Sequence, residues 1–311
     1  GDVYKRQVYK ERGFTSHDVV AKLRGILHMK KIGHTGTLDP DATGVLPVCI
    51  GKATKVCGLL TDKDKTYRAV VKLGVMTNTE DMTGEILAKH PVSVTKEQIE
   101  RAVSKFVGEI EQVPPMYSAL KVNGKKLCDL ARAGVTVERQ ARPVQIYSIE
   151  IIKMELPRVC MRVRCSKGTY IRTLCQDIGE KLSCGACMES LLRTKVSEFC
   201  VQDALRLSEI EERVQKAAGQ TQSEQWNAEM FDFIYAVDSV FLQYKKAVIC
   251  KEWNKLLYNG NRMKKDMFVS YQKDWEQQKV RIYDEEGRFI GIYEYLSLIH
   301  ISEPTRLRCI S

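Results

Sequence analysis

Between Gly33 and Pro47 the chain gathers three glycines, two prolines, two aspartates and a histidine into fifteen residues: Gly33-His34-Thr35-Gly36-Thr37-Leu38-Asp39-Pro40-Asp41-Ala42-Thr43-Gly44-Val45-Leu46-Pro47. That composition is unsuited to a regular helix or strand interior, so a specific loop is expected. Pro40 holds Asp39 in extended or turn geometry. Val45-Leu46-Pro47-Val48-Cys49-Ile50 follows as a buried strand that anchors one end of the loop. A carboxylate displayed on a loop braced by core can serve as nucleophile, general acid or metal ligand. Spacing narrows the choice. A phosphate-binding P-loop needs four residues between its first glycine and Gly-Lys-Ser/Thr, whereas six separate Gly44 from Gly51, and Ala53 follows Lys52. Asp39 and Asp41 could share a magnesium ion, but no further acidic cluster nearby completes an oxygen cage, and no metal is expected.

Other reactive side chains need elements to carry them toward that loop. From Lys65 to Gly74, Tyr67, Ala69, Val71 and Leu73 alternate with Arg68, Val70 and Lys72, which reads as a strand with Tyr67 on its inward face. Met161, Val163 and Cys165 against Arg162 and Arg164 read as a second strand with one buried and one basic face. Ser166-Lys167-Gly168-Thr169 then turns the chain, and Thr169 is expected to cap a helix buried along Ile171, Leu174, Ile178 and Leu182. Arg172 therefore sits at a strand-to-helix junction near the positive end of a helix, as a binding residue or a surface salt bridge. Upstream, Thr15 or Ser16 caps a helix buried along Val19, Val20, Leu23, Ile26 and Leu27. Thr95-Lys96-Glu97-Gln98 is a capping box for a helix through Ile99, Ala102, Val103 and Phe106 that Gly108 ends. Thr79-Glu80-Asp81-Met82-Thr83-Gly84 reads as an acidic turn.

The Gly-His-Thr-Gly-Thr-Leu-Asp-Pro-x-Ala-Thr-Gly-x-Leu-Pro pattern closely resembles the active-site motif of the TruB family of tRNA pseudouridine synthases. Lys167-Gly168-Thr169-Tyr170-Ile171-Arg172-x-Leu174 resembles the family's second signature. Lys10-Glu11-x-Gly13-x-Thr15-Ser16 resembles its opening, with Glu11 where proline is usual. Pro114-Pro115-x-x-Ser118-Ala119-x-Lys121 resembles its RNA-clamping loop, with Cys128 where tyrosine is common, and Leu191 to Val196 resembles a further element lining the cleft.

The resemblance implies catalytic roles for Asp39 as nucleophile, Tyr67 over the target ring and as a candidate proton acceptor, and Arg172 paired with Asp39. A neighbouring guanidinium lowers an aspartate's pKa by about 1 to 3 units, the role expected of Arg172. RNA contacts are expected from His34, Lys10, Lys52, Lys55, Ser118, Lys121, Lys167 and Arg193. The implied reaction converts uridine 55 in the T-arm of tRNA to pseudouridine, with no cofactor and no guide RNA. The implied fold class is α+β, with a mixed, mainly antiparallel sheet flanked by helices and loops and a small β-rich PUA-like C-terminal domain.

Composition sets outer bounds. The 311 residues carry a formal net charge of +10, which favours a polyanionic partner. No run of about 18 apolar residues suggests a membrane span, no signal-peptide pattern opens the chain, and a cytoplasmic monomer is expected. Eleven cysteines fit reduced core thiols better than a disulfide framework. Cys184-Gly-Ala-Cys187 lacks a second pair at zinc-site spacing. Expected boundaries are a catalytic domain over 8–240, with its RNA clamp at 113–135 and a closing segment at 183–240, and the PUA-like domain over 241–296. Residues 1–7 and 297–311 resemble neither and are expected to be non-native or disordered ends. The rival readings from other classes are a non-catalytic RNA chaperone or scaffold and a metal-dependent hydrolase.

Overall fold

Alternation builds the middle of the fold: Tyr67, Ala69, Val71 and Leu73 are buried while Arg68 between them is exposed. The computed structural model describes residues 3–51, 53–54, 57–61, 63–220, 231, 233–259, 261–272, 275 and 278–294. Its strands are Val3–Lys10 (β1), Ile32–His34 (β2), Thr43–Gly51 (β3), Lys65–Leu73 (β4), Val75–Thr77 (β5), Ile86–Lys89 (β6), Gly108–Gln112 (β7), Lys121–Val122 (β8) and Lys125–Lys126 (β9). There follow Arg142–Glu155 (β10), Arg158–Cys165 (β11), Ala186–Val196 (β12), Phe199–Cys200 (β13), Tyr235–Ala236 (β14), Lys245–Val248 (β15), Lys279–Tyr283 (β16) and Phe289–Glu294 (β17). The helices are Ser16–Ile26 (α1), Cys57–Thr61 (α2), Lys96–Ser104 (α3), Leu127–Arg132 (α4), Ile171–Lys181 (α5), Leu207–Gln220 (α6) and Asn254–Tyr258 (α7).

One large sheet runs β14-β1-β3-β12-β4-β11-β10-β7, with β2 added to β3 and β13 to β12. Within this sheet, among the described residues, only the β3–β12 contact is parallel, through Leu192 opposite Thr43 and Arg193 opposite Gly44. The sheet is thus mixed and mainly antiparallel, as expected. One core lies where β4, β10, β11 and β12 meet α3 and α5, and a second where β1 and β3 meet α1 and α6. A third joins Val45, Cys49 and Phe199 to Phe241 and Ile292, so the small C-terminal sheet β15-β16-β17 packs against the back of β3. Full burial of Leu46, Val48 and Ile50 contributes about 1.5–3 kcal/mol per side chain and fixes the strand from which the Asp39 loop departs.

Thr15 and Thr95 form the expected capping boxes, with Asp18 and Gln98. Three expectations are corrected. The stretch from Gly33 to Pro47 is a β-hairpin rather than continuous loop: Gly33 and His34 pair with Cys49 and Val48, and the irregular part runs only from Thr35 to Ala42. Thr169 does not cap α5, because its hydroxyl donates to Ser166 O at 3.0 Å. Instead buried Gln112 from β7 grips the cap residue Tyr170, accepting from its N–H at 2.7 Å and donating to its carbonyl at 3.0 Å.

The third correction concerns the N-terminal end. Residues 3–7 belong to β1, which pairs with β3 from Val3 opposite Gly51 to Lys10 opposite Gly44. Hydropathy hid this strand because it buries a cation: Arg6 donates to Phe233 O at 2.9 Å and Asp203 O at 3.1 Å. Residues 297–311, and Gly260, expected to stop α7, lie outside the described residues.

Candidate active site

The turn from Thr35 to Ala42 is held chiefly through its backbone, whose polar groups must find partners once buried. Thr35 donates to Pro47 O from its N–H at 3.0 Å and from its hydroxyl at 3.3 Å. Leu38 N donates to Ser16 Oγ at 2.9 Å, and that hydroxyl sits 3.3 Å from Leu38 O, so the first turn of α1 grips the loop. Ala42 N closes a turn onto Asp39 O at 3.1 Å. Two fully buried cations take several of its carbonyls. Lys10 Nζ donates to Ala42 O at 2.6 Å, Pro40 O at 2.9 Å and Glu11 O at 3.1 Å. Arg193 donates from Nε to Val45 O at 2.9 Å, from Nη1 to Thr37 O at 3.3 Å and from Nη2 to Gly36 O at 3.3 Å.

Lys10 and Arg193, expected as RNA contacts, therefore lie beneath the loop with no surface for a phosphate, and that expectation is corrected. Burial pushes the Lys10 ammonium down to about 8. Glycine is required at position 44, at a φ of +118°, since a Cβ there would lie 2.2 Å from Arg193 O. This close approach brings Arg193 under the loop.

Asp39 meets Arg172, the second residue of α5, in a two-pronged contact: Nε to Oδ2 at 2.9 Å and Nη2 to Oδ1 at 3.3 Å. The guanidinium also donates from Nη1 to Thr79 O at 3.0 Å and from Nη2 to Tyr117 O at 2.8 Å, and its Nε lies 3.8 Å from Asp81 Oδ2. Its side chain is 6% exposed, so it is no surface salt bridge, while Asp39 keeps 38% of its side-chain surface exposed. Asp81 is fixed in turn through Oδ1, which accepts from Thr79 Oγ1 at 2.7 Å, Thr83 N at 2.9 Å and Thr83 Oγ1 at 2.5 Å.

Burial pushes the Asp39 carboxyl above the usual aspartate range; the Arg172 guanidinium pulls it down and the Asp81 carboxylate adds to the rise. The expected net lowering by Arg172 is thus reversed, because packing around the carboxyl and a second acid on the same guanidinium outweigh it. Asp41 turns the other way, onto Arg12 at 3.1 Å, so the two aspartates have separate partners.

Tyr67 lies buried in β4, directly opposite Arg193 on β12. Burial pushes its phenol up to about 12, and the Arg193 guanidinium beside it works against that rise. His34 is half-buried at the end of β2 with Nδ1 enclosed and without a partner. Burial and the nearby Arg193 charge hold its pKa below the usual histidine range, so the ring is neutral at neutral pH. Ser118 is buried with its hydroxyl against that of Tyr170. Lys121 and Lys167 are exposed, in the 113–135 segment and in the turn before α5. Lys52 and Lys55 lie outside the described residues.

Sequence reasoning missed Asp81 and the carbonyls of Thr79 and Tyr117. The acidic turn carrying Asp81 was visible, and threonines two residues either side of an aspartate signal a side chain engaged in its own turn. Main-chain carbonyls leave no such signal.

A family model described as "TruB family pseudouridylate synthase (N terminal domain)" matches residues 24–171, and one described as "tRNA pseudouridylate synthase B C-terminal domain" matches residues 172–242. The tRNA pseudouridine synthase B of Lachnoclostridium phytofermentans is 51% identical, over 96% of this chain and 97% of its own. That of Alkaliphilus oremlandii is 45% identical, over 91% and 90%. Among solved structures, a chain of a Cbf5-Nop10-Gar1 complex matches with a TM-score of 0.69 at 27% identity, covering 94% of this chain and 78% of that one. A chain of the archaeal box H/ACA sRNP Nop10-Cbf5 complex matches with a TM-score of 0.68 at 25% identity, over 95% and 80%.

Proposed function

The chain belongs to the TruB family of pseudouridylate synthases and isomerises uridine to pseudouridine in tRNA, and from that premise we propose that it acts on uridine 55 of the T-arm with Asp39 as nucleophile. The observation that carries this reading is the fork between Arg172 and Asp39, at 2.9 and 3.3 Å, on a carboxylate that remains open to the cleft. An ionised carboxylate can attack the ribose or the base and so open the N-glycosidic bond; the ring turns and rejoins the sugar through C5, and the bond to the carboxylate breaks to regenerate the ionised aspartate. Loss of the C5 proton then restores the ring's double bond. Electrons and atoms balance without a redox partner, so no cofactor is invoked.

The target nucleotide must leave its stack, at a cost of a few kcal/mol. Tyr67 offers it an aromatic face, neutral His34 offers a polar wedge beside it, and the exposed Lys121 and Lys167 offer phosphate contacts. Action on tRNA without a guide RNA is proposed from the likeness, over nearly the whole chain, to relatives named tRNA pseudouridine synthase B.

The test uses a T-arm hairpin and chemical detection of pseudouridine. Asp39→Asn should abolish isomerisation while RNA affinity stays within a few-fold of the parent. Retained turnover would refute the nucleophile. A scaffold would show no effect of Asp39→Asn in any RNA assay, and a metal-dependent hydrolase would lose activity to a chelator.

A further inference from the structure

Arg193 is a cation without an anion. Its side chain is wholly buried, the three acceptors described above are neutral carbonyls, and among the described residues no carboxylate lies within salt-bridge distance of it. A buried guanidinium cannot shed its proton, so its desolvation must be offset by hydrogen bonds or by a charge that forms elsewhere. Three carbonyls explain a loop brace. They do not explain why a permanent charge is used under a turn where Lys10 already holds the carbonyls of Pro40 and Ala42. Tyr67 is its direct cross-strand partner in the β4–β12 pair and the group near it that can become an anion, His34 and Lys10 being the other titratable groups within reach of its charge.

We propose that Arg193 is a positioning residue for Tyr67: it fixes the phenol oxygen in the cleft and is the counter-charge to the tyrosinate that removes the C5 proton. The inference rests on the reading that Tyr67 faces the target ring. After C5 has bonded to the sugar, the C5–H electron pair returns to the ring, the proton passes to the Tyr67 oxygen, and the phenol later returns it to solvent. Burial alone makes tyrosinate costly, and Arg193 opposes that cost at the atom that takes the proton. Lysine would keep the charge but lose the planar fork that reaches the carbonyls and the phenol together.

The experiment compares parent, Arg193→Lys and Tyr67→Phe on T-arm hairpins whose target uridine carries hydrogen or deuterium at C5, under single turnover. Arg193→Lys should slow turnover by about 10²-fold, as for loss of general base catalysis, with a larger deuterium isotope effect than the parent and rates that climb further with pH. Replacing Tyr67 by a ring-fluorinated tyrosine, whose phenol ionises at lower pH, should restore part of the rate in the Arg193→Lys chain. A slowed variant with the parent's isotope effect, and no rescue, would overturn the proposal and leave Arg193 a loop brace. Should the lysine variant fail to fold, the fluorinated tyrosine in the otherwise unaltered chain decides: a smaller isotope effect supports the proposal and an unchanged one overturns it. Parent-like turnover by Tyr67→Phe would instead refute the underlying reading of Tyr67.

Discussion

The turn bearing Asp39 and the segment over 113–135 face the same arginine but are built in opposite ways. The turn has fully buried cations beneath it, α1 gripping Leu38, and its carbonyls from Gly36 to Ala42 largely engaged. The segment exposes Lys121, Lys125 and Lys126, buries Leu127, and touches the catalytic residues through one carbonyl, that of Tyr117 on Arg172. On the proposed reading, chemistry and RNA capture therefore draw on different parts of the stability range. A nucleophile needs positional accuracy that only core-anchored backbone provides, whereas a surface that closes on a large polyanion gains from weak attachment. Arg172 is where the two meet, binding both the turn's carboxylate and the segment's carbonyl.

That contrast can be broken most severely at the meeting point. Arg172→Lys keeps the charge but loses the fork and the donors to Thr79 and Tyr117. Single-turnover rate should fall by about 10²- to 10³-fold, comparable to removing one preorganised electrostatic donor. On the rigid side, Lys10→Met deprives the carbonyls of Pro40 and Ala42 of a donor. Denaturant melts should show a loss of about 3 kcal/mol, with a slower chemical step and little change in RNA affinity. On the adaptable side, replacing Lys121, Lys125 and Lys126 by alanine should leave the saturated rate and the melting temperature near the parent's. Titrations across salt should show the slope of log affinity reduced by about 0.7 to 0.9 for each phosphate no longer neutralised by a lysine. Equal effects of the second and third substitutions on chemistry would erase the contrast.

How much of this was readable from the chain follows the same division. β4 and the capping boxes at Thr15 and Thr95 were legible because periodicity and caps are local signals, whereas the pairing of Asp39 with Arg172, 133 residues apart, was implied only by the resemblance to the TruB family. β1 was not legible, since its buried Arg6 is satisfied by carbonyls of Phe233 and Asp203, nearly 200 or more residues away. Lys10 and Arg193 were misread as phosphate contacts for the same reason: basic residues are mostly solvated, and only the folded chain shows backbone oxygens converging on these two. The upward direction of the Asp39 shift was beyond reach too, because it depends on burial and on Asp81, which arrives from the β5–β6 turn.

On the proposed mechanism everything catalytic depends on an ionised Asp39, which shares the Arg172 guanidinium with Asp81. The sharpest check is the pH dependence of single-turnover rate in the parent and in Asp81→Asn. Because burial and Asp81 raise the Asp39 pKa, the parent's rate should fall on acidification at a pH above the ordinary aspartate range, as the carboxylate takes up its proton. Removing the Asp81 charge lowers that pKa and leaves Arg172 to Asp39 alone, so the acid limb should move to lower pH. An acid limb that stays in place, or moves upward, would show that the rate does not depend on this carboxylate as described.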